Sequence, residues 1–531
     1  MKSLNAVIFY ALLSFAAAGA SAAAMDPVVG VTGGQIKGRV IPSGGAVFKG
    51  VPFAQPAVGE LRWRDPVPVK PWTGVRDTGA YGPACTQRNS GRRADLEGNQ
   101  EDCLYLNVWT PDWPAKTPKP VMLWLFGGSN NTGAGSEPYL DGTSLSRRGV
   151  VMVTINFRLG VFGFFAHPGL TVESPHHSSG NYGLLDQVAA LKWVRDNIAK
   201  FGGDPRNVTL FGQSSGGMDT AFLVASPLAK GLIHRAIQES GPPIRQYNTL
   251  ADAEQLGVKL AASMKAPAQD AEAVKYLRAL PGPELQKASL ALKTNLGDVA
   301  VTEIDGYVIL KNVALVFEEG HEQPVPIIVG NNAREQSHDY SPEVTKRWIK
   351  GNFGSLAPKA EEFYGYANGG TGNDDPFHGS PGAQITADTR QRCPAIAEGI
   401  WRSAHGRTTY EYLFDPPVAG EAFTKHTAEI PFVFGNLLPK GFAMGGPYTD
   451  ADKKISADIQ QYWINFAKTG NPNGNGLPEW PKFNATARPY LEFTLHDGPQ
   501  VKEGLRRNIC DLYIEALKET IPAGTVAAYP E

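Results

Sequence analysis

The residues with the clearest chemical potential are Phe211-Gly212-Gln213-Ser214-Ser215-Gly216-Gly217. A β-rich lead-in over 207–211 runs into a Gly-x-Ser-x-Gly turn, and a helix-compatible run follows over 218–225. A strand-to-helix turn this tight leaves no room for a Cβ at Gly212 or Gly216, and it lifts the serine between them toward solvent. The N-terminus of the next helix places partial positive charge beneath that serine. The chemistry implied is nucleophilic attack. In a chain with 59 glycines, however, an ordinary Gly-rich turn can have the same spelling, so the motif needs partners.

A serine hydroxyl becomes a nucleophile when a base takes its proton, and the base must be oriented by a third group. On an elbow scaffold the acid and then the histidine follow the serine, each on a loop after a strand. Glu335 lies in Gly330-Asn331-Asn332-Ala333-Arg334-Glu335, directly after an apolar run over 325–330. Five histidines come later: His338, His378, His405, His426 and His496. Only His426 combines a loop after a strand, over 410–414, with an apolar run behind it at Ile430-Pro431-Phe432-Val433-Phe434. The other four read as surface or core histidines. For the oxyanion, the backbone N–H of Ser215 is one expected donor. The others should come from Gly127-Gly128-Ser129, at the end of a buried strand over 121–126, where ligands of open α/β sheets gather. A plain strand-ending turn at Gly127-Gly128 is the alternative.

The surrounding pattern predicts the elements that would hold these groups. Residues 28–55 alternate as short strands bounded by Gly or Pro, and further strands are expected over 104–109, 121–126 and 149–156. The run over 121–126 is almost continuously apolar, as in a parallel strand covered on both faces. A helix capped by Asn181 carries apolar residues at helical spacing until Gly202-Gly203 stops it, and Asp204-Pro205 leads into the elbow strand. After Gly241 the chain turns helical and more polar to about residue 293. Strand and helix in alternation predict an α/β protein with a large, mostly parallel sheet flanked by helices and right-handed crossovers, and with helical insertions over the active site.

Composition narrows the function classes. A formal net charge of −2 and the absence of a basic run give no support for nucleic acid as a partner. Lys2, an apolar run over 6–18 and small residues over 19–24 have the form of a secretory signal, too short to span a bilayer. The expectation is therefore a signal peptide over 1–24, one domain over 25–531, a secreted or periplasmic location and no stable membrane insertion. Export makes the four cysteines informative, because oxidising compartments form disulfides. Three pairings are possible. Cys85–Cys103, closing a short polar loop, and Cys393–Cys510, tying a late segment to a helix over 512–518, are favoured over free buried thiols. No Cys-x-x-Cys and no zinc spacing occur, so neither a metal nor a cofactor is expected. Oligomeric state leaves no signal.

Several further stretches carry a resemblance. Phe48-Lys49-Gly50-Val51-Pro52-Phe53-Ala54, Leu61-Arg62-Trp63, Glu101-Asp102-Cys103-Leu104-Tyr105-Leu106-Asn107-Val108, Asn181-Tyr182-Gly183-Leu184-Leu185-Asp186-Gln187, Phe201-Gly202-Gly203-Asp204-Pro205, Tyr462-Trp463 and Gly470-Asn471-Pro472-Asn473 occur in order along the chain. Together they closely resemble the type-B carboxylesterases, the group that includes cholinesterases and neuroligins. The resemblance implies an α/β-hydrolase fold and an esterase acting on a small-molecule ester, with Ser214 as nucleophile, Glu335 as acid and His426 as base. It implies Gly128, Ser129 and Ser215 as oxyanion donors and supports both disulfides. A silent neuroligin-like binding protein is the alternative class, and carbamates, amides or lactones are alternative substrates.

Three positions depart from the family pattern. Ser129 stands where a third glycine is usual, and its Cβ narrows the approach to the acyl group. Gln213 stands where Glu is usual; an amide supports an imidazolium far less than a carboxylate does, unless the swap is merely tolerated. Between Cys85 and Cys103 there is no aromatic residue to hold a quaternary ammonium, which argues against choline esters. Arg88, Arg92 and Arg93 in that loop would suit an anionic substrate, or simply be solvated.

Overall fold

The apolar run of the sequence becomes one of the innermost strands of an 11-stranded sheet in the computed structural model of the protein. The structure describes residues 26–521 apart from 43, 88–98, 293–300, 336–339, 419, 443 and 475. The expected signal segment, His338 and the loop arginines Arg88, Arg92 and Arg93 thus lie outside the described residues.

The sheet strands in chain order are β1 (Arg39–Val40), β2 (Ala46–Pro52), β3 (Tyr105–Thr110), β4 (Lys119–Leu125), β5 (Val151–Ile155) and β6 (Gly203–Gln213). They continue with β7 (Arg235–Glu239), β8 (Ile327–Asn332), β9 (Thr409–Phe414), β10 (Pro489–Thr494) and β11 (Gly498–Glu503). Their spatial order is β11-β10-β9-β8-β7-β6-β4-β5-β3-β2-β1. Pairing is parallel from β5 through β4 and β6 to β10, and antiparallel at both ends. The direction of winding reverses between β4 and β6, and the crevice at such a reversal is where open α/β sheets bind ligands.

Val121, Met122, Leu123, Trp124 and Leu125 are fully buried, as a strand covered on both faces requires. Each such side chain contributes about 1.5–3 kcal/mol of burial. Trp124 meets Phe211 edge-on at 4.8 Å and Phe434 at 5.0 Å. One indole therefore packs against the elbow strand and against the short helix behind His426.

Most expected elements form, with informative differences. Asn181 stands at the start of its helix (Tyr182–Asn197), but its side chain makes no capping bond there. It reaches instead to the backbone of Glu303, with Nδ2 2.8 Å from the carbonyl, because tying two distant segments together satisfies a buried amide as well as a cap would. The elbow strand β6 begins at Gly203, so Asp204-Pro205 lies inside it, opposite an irregularity in register between Lys119 and Val121. Proline has no N–H to give the ladder.

The polar stretch after Gly241 forms three helices, Leu250–Ser263, Asp270–Ala279 and Gly282–Ala291. Arg62 anchors the second of them, donating to the carbonyls of Leu277, Arg278 and Leu280 while pairing with Glu101 at 2.6 Å. Gln286, Ser289 and Leu290 of the third share a small pocket with Asn131 of the loop after β4. Disulfides join Cys85 to Cys103 and Cys393 to Cys510, both as favoured from the sequence.

Candidate active site

Parallel pairing brings the candidate residues together. Gly212 of β6 pairs with Leu125 of β4, and Gln213 pairs with Glu239 of β7. The loops after these strands must therefore leave the sheet side by side.

Ser214 has φ 57° and ψ −122°, and the elbow helix (Ser215–Ala225) starts at the next residue. A non-glycine residue held in this region is strained, and such strain collects at functional sites. The glycines behave as the spelling requires. A Cβ on Gly212 would stand 2.5 Å from the carbonyl oxygen of Gly216, and one on Gly216 would stand 2.1 Å from that of Leu125. Ser214 itself is half-buried and so less open than the sequence implies. Gly127 lies against it, since a Cβ there would come within 2.9 Å of the Ser214 Cβ.

The loop after β4 holds the expected oxyanion donors. Ser129 and Asn130 both have positive φ, 56° and 54°. Hydrogen bonds hold this costly backbone in place. The Asn130 N–H donates to Ser215 Oγ at 3.1 Å, and Asn130 Nδ2 donates to Asp219 Oδ1 at 3.0 Å. Gln187 Nε2 donates to the other Asp219 oxygen at 2.6 Å. Burial drives the Asp219 carboxyl up to about 7, against the pull of those two donors. Among the described residues no protein acceptor takes the N–H of Gly128 or Ser129. The N–H of Ser215 is one of the orphaned first-turn donors of its helix. Two of these N–H groups thus sit on the loop that Gly127 brings against Ser214, and the third on the residue that follows it.

Glu335 is buried, and its Oε2 lies 2.5 Å from His426 Nδ1. Its Oε1 accepts the Asn332 N–H at 2.7 Å, and its carbonyl accepts the His426 N–H at 3.1 Å. The acid and the histidine are therefore fastened by side chain and backbone. With Nδ1–H donated to Glu335, the unprotonated nitrogen is Nε2. It stands 3.4 Å from Gln213 Nε2, next to the serine in sequence. His378 is buried elsewhere, near the Ala333 carbonyl, and burial with neighbouring arginines lowers it to about 3. His405 bonds to the Glu318 carbonyl.

Sequence reasoning missed the layer beneath. Asn332 Nδ2 holds the histidine loop by donating to the Lys425 carbonyl at 2.9 Å and to Glu429 Oε2 at 2.6 Å. The Ser214 N–H donates to the Glu239 carbonyl at 2.8 Å, and the Glu239 carboxyl accepts from Trp463 Nε1 at 2.8 Å. Burial, and then the charge of Glu335, lift Glu429 to about 7. Burial and the neighbouring Glu429 raise Glu239 well above the carboxylate range. Both occur in the sequence as unremarkable glutamates; strand register brings Glu239 under the site, and the start of the short helix after His426 brings Glu429 there.

Comparison with known proteins fits this geometry. A profile described as "Carboxylesterase family" matches residues 25–513. The chain is 35% identical over 453 residues to Fumonisin B1 esterase of Sphingopyxis macrogoltabida, covering 82% of this chain and 81% of that protein. It is 36% identical over 493 residues to Para-nitrobenzyl esterase of Bacillus subtilis, covering 88% and 95%. With Carboxylesterase 1D of Mus musculus it shares 35% over 514 residues, covering 86% and 88%. A solved structure titled PNB esterase superposes with a TM-score of 0.78 at 33% identity, covering 92% of this chain and all of that one.

Proposed function

The chain belongs to the carboxylesterase family and is a carboxylic ester hydrolase, and from that premise we propose a secreted serine carboxylesterase working through an acyl-enzyme on Ser214. Residues 1–24 would be its cleaved signal and residues 25–531 one catalytic domain. Ser214 Oγ attacks the ester carbonyl, and His426 Nε2 takes the hydroxyl proton. The charge that develops on the carbonyl oxygen falls to the N–H groups of Gly128, Ser129 and Ser215, which are fixed before the reaction begins. The imidazolium shares its Nδ1 proton with Glu335 and passes the Nε2 proton to the departing alcohol. Water then repeats the cycle on the acyl-enzyme, releasing the acid and restoring the serine. Each step draws on these side chains, these backbone N–H groups and water.

The observation that carries this reading is the Glu335–His426 contact of 2.5 Å, with the imidazole Nε2 brought to within 3.4 Å of the Gln213 amide nitrogen, next to the elbow serine. Release of 4-nitrophenol from 4-nitrophenyl butyrate tests it. In Ser214→Ala the rate should fall by about a thousandfold or more, while the protein melts as before. An unchanged rate would remove Ser214 from the mechanism. Fumonisin B1, the ester in one relative's name, belongs in the substrate panel beside simple alkyl and aryl esters.

A further inference from the structure

Two arginines, Arg245 against the elbow helix and Arg390 on a neighbouring segment, have no part in the reaction just described. The segment leaving β7 runs directly against the nucleophile: a Cβ on Gly241 would stand 2.3 Å from the Ser214 carbonyl oxygen and 2.7 Å from the Met218 nitrogen. Four residues on, Arg245 places Nη2 3.3 Å from Met218 Sδ, one turn along the helix from Ser214. Its guanidinium lies 5.3 Å from the centre of the Tyr247 ring. Arg390 belongs to the π-helical turn Asp388–Arg392 and lies 4.7 Å from the Trp348 ring centre. Single π turns recur at functional sites.

These segments meet. Tyr513 Oη stands 2.7 Å from the Ile244 carbonyl oxygen and 3.3 Å from that of Thr389, the residues immediately before the two arginines. The same π turn is fastened to the acid loop, where Arg392 Nη2 donates to the Ala333 carbonyl at 2.8 Å.

Among the described residues this pair has no carboxylate partner. Arg245 is half-buried and Arg390 exposed, whereas the more buried arginines have carboxylate partners: Arg392 and Arg506 share Asp388, Arg402 pairs with Glu322, and Arg158 pairs with Asp186. Among the described residues neither Arg245 nor Arg390 forms an ion pair. Asp219, on the elbow helix, gives its two oxygens to Asn130 and Gln187. Arg390 instead feels Arg245: crowding by protein and then that positive charge both lower its pKa. Two like charges that face one another across the shared Tyr513 repel, and an anion seated between them relieves that repulsion. A guanidinium fork suits a carboxylate in particular.

We infer that Arg245 and Arg390 form an anion subsite beside Ser214 that selects esters carrying an additional ionised carboxylate. The inference rests on Ser214 being the nucleophile, and it moves the recognition of anions away from the Cys85–Cys103 loop.

Two matched pairs of esters test it on the full-length mature protein. Mono-4-nitrophenyl glutarate against 4-nitrophenyl pentanoate probes an acyl carboxylate, and 4-acetoxybenzoate against phenyl acetate probes one on the alcohol. In one pair, Arg245→Gln and Arg390→Gln should each lower kcat/KM for the anionic ester about tenfold, chiefly through KM, and change the neutral ester less than about twofold. Arg390→Lys should restore part of the loss, and added salt should erode the wild-type preference. Parallel loss on both members, or no change in either pair, would overturn the subsite. Calorimetric binding of glutarate to Ser214→Ala, weakened about tenfold or more by the double replacement, reads the subsite without turnover. A failed subsite thus remains distinguishable from a failed esterase reading.

Discussion

Replacing Gln213 by Glu would place a carboxylate against the base. Gln213 is fully buried, and its amide nitrogen stands 3.4 Å from His426 Nε2. A unit charge at that distance, with an effective dielectric of about 20, interacts with an imidazolium by about 5 kcal/mol, or roughly three to four pKa units. Burial of the new carboxylate opposes this, as do the buried acids Glu239, Glu429 and Glu335 around it, because each favours a protonated acid at position 213. A net rise of about one to two units in the imidazole remains. His426 must be neutral to accept the serine proton, so a raised pKa moves the acid limb of kcat/KM to higher pH. At about pH 6 the Gln213→Glu enzyme should be about tenfold or more slower than wild type, and the two should converge near about pH 9. The assay is a pH series of kcat/KM on 4-nitrophenyl butyrate, a neutral ester. An unmoved acid limb would mean that position 213 does not face the base, and the reasoning would fail.

The remaining predictions concern the loop and the core. Ser215→Ala leaves the buried Asn130 N–H without its acceptor, a loss of about 1–3 kcal/mol, so kcat should fall about tenfold while KM holds; equal kcat would show that the clamp does not position the loop. Ser129→Gly relieves an exposed residue at φ 56° and removes its Cβ, so rates on bulky acyl esters should rise relative to short ones. Unchanged ratios would sink that idea. Burial holds Glu411 up at about 8, and among the described residues neither of its carboxylate oxygens has a hydrogen-bond partner. Its folded pKa exceeds its unfolded one, so the stability it contributes is complete below about pH 4 and is lost as pH rises toward 8. Glu411→Gln should therefore flatten the decline in stability across that window and raise the unfolding free energy at about pH 8 by on the order of a few kcal/mol, read as a higher Tm there, and a decline as steep as in wild type would contradict this.

What could be read in the sequence was what local chemistry dictates. An almost unbroken apolar run of six residues between turn signals reads as an inner strand, and a serine between glycines at a strand-to-helix junction reads as raised on a strained turn once its partners are found. Glu335 and His426 were legible because each follows a strand. β7 was not, since Arg235, Gln238 and Glu239 mark it as polar. Its burial depends on partners far along the chain, Glu398 for Gln238 and Trp463 for Glu239. The C-terminal hairpin of β10 and β11 was also missed, because β11 exposes most of its residues and shows no apolar alternation. Asn130, Asp219 and Asn332 act through register between distant segments, and no spacing reports that. Asn181 was misjudged for the same reason: its amide answers a distant backbone rather than its own helix.

The central claim is that Ser214 carries the acyl group. Treating the enzyme with a 4-nitrophenyl phosphonate and measuring intact and peptide masses tests it most directly. One adduct per chain should form on the peptide containing Ser214, with one nitrophenol released and ester hydrolysis lost in proportion. A fully inhibited enzyme with the adduct on another residue, or a modified Ser214 with hydrolysis intact, would contradict it.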